Sequence, residues 1–474
     1  LIILGDGPLT LVSLEQIARG RTKVELGDSA RARIAESTSA LRSLAASGLP
    51  IYGVNTGFGI FADRRIRTEQ AADLSRNLIL SHSVGVGPPL APEVVRAAMI
   101  IRANTLAQGY SGVRVALVER LLQMLNASVT PIIPSKGSLG ASGDLAPLSH
   151  LALVLTKDES EEDENSGRAW YNGEALSGAE AMRRAGLERL RLGPKEGLAL
   201  NNGASFSTAQ LALSALEIHR SLRVGELIRS LHALRENGFP AGSMDQPPAP
   251  SGRQAEQAAL PSALLREAHT LDAVWDVLQM TEDVLQREMN AATDNPLIFG
   301  EQALSGGNFH GQPIALAADS MKRALVDAGY MLYCRISESS RPQAKADEPW
   351  SEYLTEAAIE FAGKFMAELR RLAHPDSIYS LPTSADQEDL NPNAWNASRR
   401  LSDAAATFRT LTAIGLLTTI RKIDPKDADI PEDLRTTLQP AKSMLAGCSS
   451  MDSLHNRVHE LANAILKGEF EWES

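Results

Sequence analysis

Helical periodicity predicts an all-α fold: a long-helix bundle with a small mixed region of loops and short strands around the N-terminal part. Three observations carry this reading. Apolar residues recur at three- to four-residue steps in three long segments. These are Leu211, Ala215, Ile218 and Leu222; then Leu271, Val274, Leu278, Leu285 and Met289; then Ile314, Ala317, Met321, Leu325 and Leu332. That spacing places the apolar side chains on one face of a helix. Strand signals, by contrast, are few and short. The clearest is Ala169-Trp170-Tyr171 before Asn172-Gly173, a dipeptide suited to a tight hairpin turn. Third, the helical segments are separated by stretches that break helices or favour solvent. Lys157 to Asn165 carries six acids and reads as a solvated surface loop. Gly242 to Gly252 contains Pro247, Pro248 and Pro250, and Ser339 to Pro349 is polar with prolines. Residues 1–200 form an N-terminal region holding the reactive loops, and residues 201–474 the long-helix bundle and C-terminal helices, expected to pack as one compact unit.

Composition narrows the function classes. The chain has 474 residues, 43% hydrophobic and 22% charged, the balance of an ordinary globular protein with a large core. No apolar run reaches the roughly 18 residues of a membrane span. A net charge of −11 argues against a general nucleic-acid binder. The two cysteines, Cys334 and Cys448, make no disulfide framework and fit a reducing cytoplasm. No signal-peptide pattern is present, and the chain opens at Leu1 without Met. No metal is expected. The nine histidines are scattered, and His455 and His459, four apart, have no evident third ligand.

The richest chemistry lies between Lys136 and His150, centred on Ala141-Ser142-Gly143. Three small residues in a tight turn can react with one another. The amide nitrogen of Gly143 attacks the carbonyl of Ala141, and glycine permits the strained backbone this needs. Loss of water from the ring and of the Ser142 hydroxyl leaves 4-methylideneimidazole-5-one, an electrophile no ordinary side chain matches. The same tripeptide alone also reads as a Gly-rich turn into a helix, capped by Asp144, with Pro147 in the first turn. The longer string Gly-Ser-Leu-Gly-Ala-Ser-Gly-Asp-Leu-Ala-Pro-Leu decides between them. It resembles the signature of the aromatic amino acid ammonia-lyases and aminomutases, which make this prosthetic group from their own backbone.

Six further segments extend the resemblance, which runs from about Leu9 through at least Leu390. Tyr52-Gly-Val-Asn-Thr-Gly57-Phe-Gly59 fails as a phosphate loop, since no Lys-Ser/Thr follows. It resembles the family loop that carries a catalytic tyrosine, here Tyr52, with glycines such as Gly57 that let the loop close and reopen. Arg76-Asn-Leu-Ile-Leu-Ser-His82 places His82 where the family's side-chain selector falls, and Ser-His is similar to the histidine-using branch. A neutral imidazole donates and accepts at once, which suits another imidazole. Lys195-Glu-Gly-Leu-Ala-Leu-Asn-Asn-Gly203 resembles the stretch ending in a carboxylate-binding Asn, a role that falls on Asn202. Thr293-Asp-Asn-Pro296 and Ser305-Gly-Gly-Asn308-Phe309-His310 are further matches. Ser380-Leu-Pro-Thr-Ser-Ala-Asp-Gln387-Glu388-Asp389 matches closely, and its Glu388 again resembles the histidine branch. A carboxylate there pairs with an imidazolium or takes a proton from the ammonium.

The resemblance implies an ammonia-lyase acting on L-histidine or a histidine-like amino acid. Catalysis falls to Tyr52, to Ala141, Ser142 and Gly143 as the prosthetic group, and to Glu388. Substrate binding falls to His82, Asn202, Gln387 and Arg266, with Gly57, Asp144, Asn308 and Phe309 shaping the site. A homotetramer with active sites shared between subunits is implied as well. The chain departs from the histidine branch in two places. Leu260-Pro-Ser-Ala-Leu-Leu-Arg266-Glu267 stands for a segment that supplies a second tyrosine and a carboxylate-clamping Arg. Arg341 to Trp350 stands for a Phe-containing, Gly-rich stretch. An aminomutase, a lyase of a modified histidine, and a catalytically inactive relative are the alternatives these departures raise.

Overall fold

The computed structural model describes residues 1–59, 64–66, 70–158, 165–237, 262–339, 349–421, 432–445 and 451–470. It is 63% helical and 10% strand, the class the periodicity predicts. The helices are α1 (Leu11–Ala18), α2 (Asp28–Ala46), α3 (Ala71–His82), α4 (Pro92–Ala107), α5 (Val115–Asn126), α6 (Leu145–Leu155), α7 (Gly178–Arg184) and α8 (Glu196–Asn201). The long ones follow: α9 (Ser205–Asn237), α10 (Ser262–Asn290), α11 (Gln312–Ser339), α12 (Pro349–Leu372) and α13 (Ala394–Ile420), then α14 (Glu432–Leu445) and α15 (Met451–Lys467). Every residue of the three periodic series is buried, so the apolar faces of α9, α10 and α11 are core faces. Asn172-Gly173 does turn a hairpin, between strands Arg168–Tyr171 and Glu174–Ser177, with both turn residues at positive φ. Gly242 to Gly252 lies outside the described residues, as does most of the acidic run after Lys157 and of the Ser339 to Pro349 segment.

The chain forms two compact units, neither continuous in sequence. The first comprises Leu1–Leu213, Glu282–Ala318 and Pro375–Arg399. The second comprises Ser214–Thr281, Asp319–His374 and Arg400–Ser474. In the first unit α4 is buried on every side from Val94 to Ala107. A helix buried all round carries its polar groups only if each finds a partner. Arg96 donates to the carbonyls of Ile17, Ala18 and Leu125, at or near the C-terminal ends of α1 and α5. Those carbonyls have no partner within their own helices, so one cation joins three helices. Burial lowers its pKa to about 10, still far above neutrality.

Short strands set the reactive loop. After α3 ends at His82, the chain forms the strand Val86–Pro89, antiparallel to Pro134–Lys136. The second strand leads straight into Gly137 to Gly143, and α6 begins two residues later at Leu145. The end of α3 and the Ala-Ser-Gly turn are therefore neighbours through a strand pair, although about sixty residues separate them.

In the second unit, Arg409 pairs with Glu217 at 2.5 Å and Arg335 with Glu267 at 2.7 Å, all largely buried. Trp275 donates its indole N–H to Glu226 at 2.9 Å, a carboxyl whose pKa is raised by burial against the pull of Arg223 and Arg229.

Candidate active site

Ser142 lies at the centre of a polar cluster in the first unit. Its carbonyl oxygen accepts from Asn202 Nδ2 at 2.7 Å and from the backbone N–H of Gly203 at 3.1 Å. Asp144 N–H returns a bond to Gly203 O at 2.9 Å, closing a short parallel bridge between Gly143 and Gly203. Glycine is obligatory at this crossing. A Cβ at Gly143 would stand 2.2–2.4 Å from the backbone of Gly203, and Gly143 has φ +87°. No side chain fits, and left-handed backbone there favours glycine.

The hydroxyl of Ser142 donates to Glu388 Oε1. The other oxygen, Oε2, accepts from Thr383 Oγ1 at 2.9 Å and Ser384 Oγ at 3.4 Å. Thr383 and Glu388 also exchange backbone bonds of 3.0 and 3.2 Å. The turn between them holds Ser384, Ala385 and Asp386 at φ 53°, 52° and 64°. Three non-glycine residues in left-handed backbone cost about 1–2 kcal/mol each, and such strain concentrates where geometry serves function.

Asp144 does not cap α6 with its side chain, as a turn-into-helix reading expects. Its fully buried carboxylate instead accepts from Ser138 Oγ (2.8 Å), Ser207 Oγ (2.8 Å) and Ser207 N–H (2.7 Å). It serves the first turn of α9, where unpaired N–H groups point outward. Burial pushes its pKa up, and these bonds pull it back down. The effect is to lock the triad turn to α9.

Tyr52 lies in the loop before α3, its hydroxyl accepting from Gly59 N–H at 3.1 Å and its ring edge-on to Phe58. Gly59 lies against Gln387, whose Oε1 is 3.8 Å from where a Cβ would stand. Gly57 is buried and donates to Arg64 O at 3.0 Å. The structure thus links Tyr52, Gln387, Glu388, Ser142 and Asn202 in one neighbourhood. His82 ends α3, which packs on α6 and α8, with its Nδ1 2.9 Å from Leu78 O and 3.0 Å from Ser81 Oγ. Asn308 and Phe309 belong to a loop tied to the triad turn through Gly311 N–H to Gly140 O, at 3.0 Å. Asn308 is exposed and Phe309 half-buried. Arg266 is exposed near the start of α10, in the second unit.

Sequence reasoning overlooks the groups behind this cluster. Arg102, fully buried in α4, donates to Ala199 O (3.1 Å), Asn202 O, Thr293 O (3.0 Å) and Thr293 Oγ1 (2.8 Å). Burial lowers its pKa to about 10, opposed by Asp294 and Asp144, so it remains a cation. Lys195 and Asp294 form a fully buried ion pair at 2.5 Å directly before α8. Both devices hold the segment that ends in Asn202.

His150 is a third. It lies on α6, and its Nε2 accepts the N–H of Gly85 at 3.1 Å, which fixes the neutral ring with its proton on Nδ1. Gly85 follows His82 by three residues, so the imidazole ties the exit of α3 to the helix that leaves the triad. Burial lowers the His150 pKa. The unfolded chain therefore binds the proton more readily, and this contribution to stability is lost as pH falls through about 6.5 towards the depressed folded value. His150→Gln, which keeps an acceptor but does not titrate, should flatten that part of the acid limb. Thermal melts between pH 7 and 5 check this, and curves of equal slope would refute it.

Among the described residues no three His, Cys, Asp or Glu side chains come together as metal ligands, and no helix is long and apolar enough to cross a membrane. A model of the family described as aromatic amino acid lyase matches residues 9–243 and 262–444. The chain belongs to the aromatic amino acid lyase family. Histidine ammonia-lyase of Caldanaerobacter subterraneus subsp. tengcongensis is 38% identical over 89% of this chain and 88% of its own. That of Paracidovorax citrulli is 39% identical over 87% and 85%. The structure of histidine ammonia-lyase from Trypanosoma cruzi superposes with a TM-score of 0.84 at 27% identity, covering 99% of this chain and 94% of that one. Tyrosine aminomutase from Streptomyces globisporus gives 0.85 at 27%, covering 99% and 97%.

Proposed function

We infer that this chain is a histidine ammonia-lyase, releasing ammonia without oxidation from L-histidine or a close aromatic relative and leaving the acrylate, urocanate for histidine. The observation that carries the reading is the convergence on Ser142: Glu388 on its hydroxyl, Asn202 and Gly203 on its carbonyl. The residues fit the prosthetic group. The turn is built of small residues, with no room for a Cβ at Gly143, and the buried Oδ1 of Asn202 has no hydrogen-bond partner among the described residues. Ala141, Ser142 and Gly143 would hold 4-methylideneimidazole-5-one, which supplies an electrophilic carbon that makes an amine a leaving group.

The other residues bind, orient and move protons. Tyr52 removes the substrate's β proton, its oxygen positioned by Gly59. His82, Glu388 and Gln387 hold the side chain. Asn202 keeps its second amide hydrogen for the substrate carboxylate, with Oδ1 as an acceptor for the ammonium. A homotetramer with shared sites belongs to the same proposal. Exposed Ile378, Tyr379, Leu381 and Leu390 flank the Glu388 segment, the kind of apolar patch that a second copy covers. Arg266, exposed on α10, is the carboxylate clamp another copy would supply.

Ammonia release and near-UV absorbance with L-histidine test the reading. A site built to hydrogen-bond an imidazole should prefer histidine to phenylalanine by on the order of 10⁴ in kcat/KM. Equal turnover of the two would overturn it. His82→Leu should raise KM for histidine about tenfold, the value of one hydrogen bond, with less effect on kcat. The likeness to aminomutases favours a second reading, which a β-amino product without free ammonia would establish.

A further inference from the structure

We propose that Glu388 is the general acid of the chain's own modification, giving a proton to the hydroxyl that Ser142 loses. The inference rests on the reading of Ala141-Ser142-Gly143 as the source of the prosthetic group. Dehydration of a serine needs a place for negative charge when the Cα–H bond breaks, and a proton for the departing hydroxyl. The structure supplies these at different atoms of one residue.

The carbonyl oxygen of Ser142 receives Asn202 Nδ2 at 2.7 Å and Gly203 N–H at 3.1 Å. Two fixed donors on one oxygen stabilise an enolate as they stabilise any developing oxyanion. The hydroxyl donates to Glu388 Oε1, the carboxyl oxygen left free by Thr383 and Ser384, which hold Oε2; the step begins when Oε1 takes a proton from solvent and the hydroxyl turns to accept it. Arg102 fixes the donors from behind through the carbonyl of Asn202.

The step balances as follows. The Cα–H bond of Ser142 breaks and its proton passes to water. The electron pair is held on the carbonyl oxygen and then forms the Cα–Cβ double bond. The Cβ–Oγ bond breaks, and Oγ takes the proton of the Glu388 carboxyl and leaves as water. Glu388, now a carboxylate, recovers a proton from solvent. Nothing is oxidised or reduced. Completion removes the hydroxyl that Glu388 was bound to, which frees the same carboxyl for substrate.

Intact mass and the mass of the peptide containing Ser142 test the proposal apart from any activity. Wild type should be lighter by two waters. Glu388→Gln keeps the shape and cannot give the proton. It should slow the second loss by about 10²-fold or more, leaving a chain one water short of complete. Equal appearance of both losses in Glu388→Gln and wild type would overturn the proposal while leaving the proposed function standing. A wild-type chain of full mass would overturn both. Thermal melts confirm that Glu388→Gln folds. Should it not, Thr383→Val carries the test: it keeps the carboxyl but releases Oε2, so a delayed second loss supports the proposal and an undelayed one refutes it.

Discussion

Replacing Ser142 by alanine is expected to yield a folded chain without measurable lyase activity. The substitution removes one hydroxyl, bonded to Glu388, and leaves untouched the backbone and Asn202 contacts that shape the turn. A lost side-chain hydrogen bond of this kind costs about 1 kcal/mol, which a domain of this size tolerates. The rate should fall by on the order of 10⁴-fold or more, because groups that act as a unit fail together when one is removed. The variant cannot lose the second water, so its mass should stay above that of wild type. Circular dichroism, intact mass and the ammonia assay on one preparation decide the matter. Residual turnover within tenfold of wild type would mean that the electrophile lies elsewhere.

The largest effect on stability is expected at Lys195. It and Asp294 are both fully buried, at 2.5 Å, and burial depresses the lysine's pKa against the pull of the aspartate. Taking one partner from a buried pair strands the other charge, at a cost of about 3–5 kcal/mol. Lys195→Met should therefore lower the denaturation midpoint sharply. Removing both charges, as in Lys195→Met with Asp294→Leu, should recover most of the loss, because the stranded charge is gone. Since the pair sits directly before α8, the single variant should also weaken substrate binding through Asn202. A single substitution costing under about 1 kcal/mol would show that water or another cation reaches Asp294.

The helices and the reactive turn were legible in the sequence for different reasons. Periodicity exposes a core face because burial selects residue type at each step, and Leu211 through Leu332 behave accordingly. The triad is legible because the twelve-residue string around it resembles a family signature, whereas its three small residues alone also suit a plain turn. Arg102 was not, although it left a signal: α4 is an apolar run broken by Arg96, Arg102 and Asn104. Buried polar groups of that kind must be bonded. The carbonyls that Arg102 meets lie 97 to 191 positions away, and carbonyls carry no residue signature. His150 and Thr383 are hidden for the same reason, since each acts through backbone or through one neighbour. Arg266 shows the opposite limit. The resemblance assigns it a role, while the structure shows only an exposed side chain near the start of α10.

The contact between Ser142 and Glu388 spans 246 residues of sequence. A ribosome that has reached α6 has made the serine but not the carboxyl group that faces it. On the proposed mechanism, the chain would stay inert towards amines and thiols throughout most of its synthesis. Its reactivity would then mark correct assembly, acquired only once the segment from Pro375 to Arg399 has brought Glu388 to Ser142.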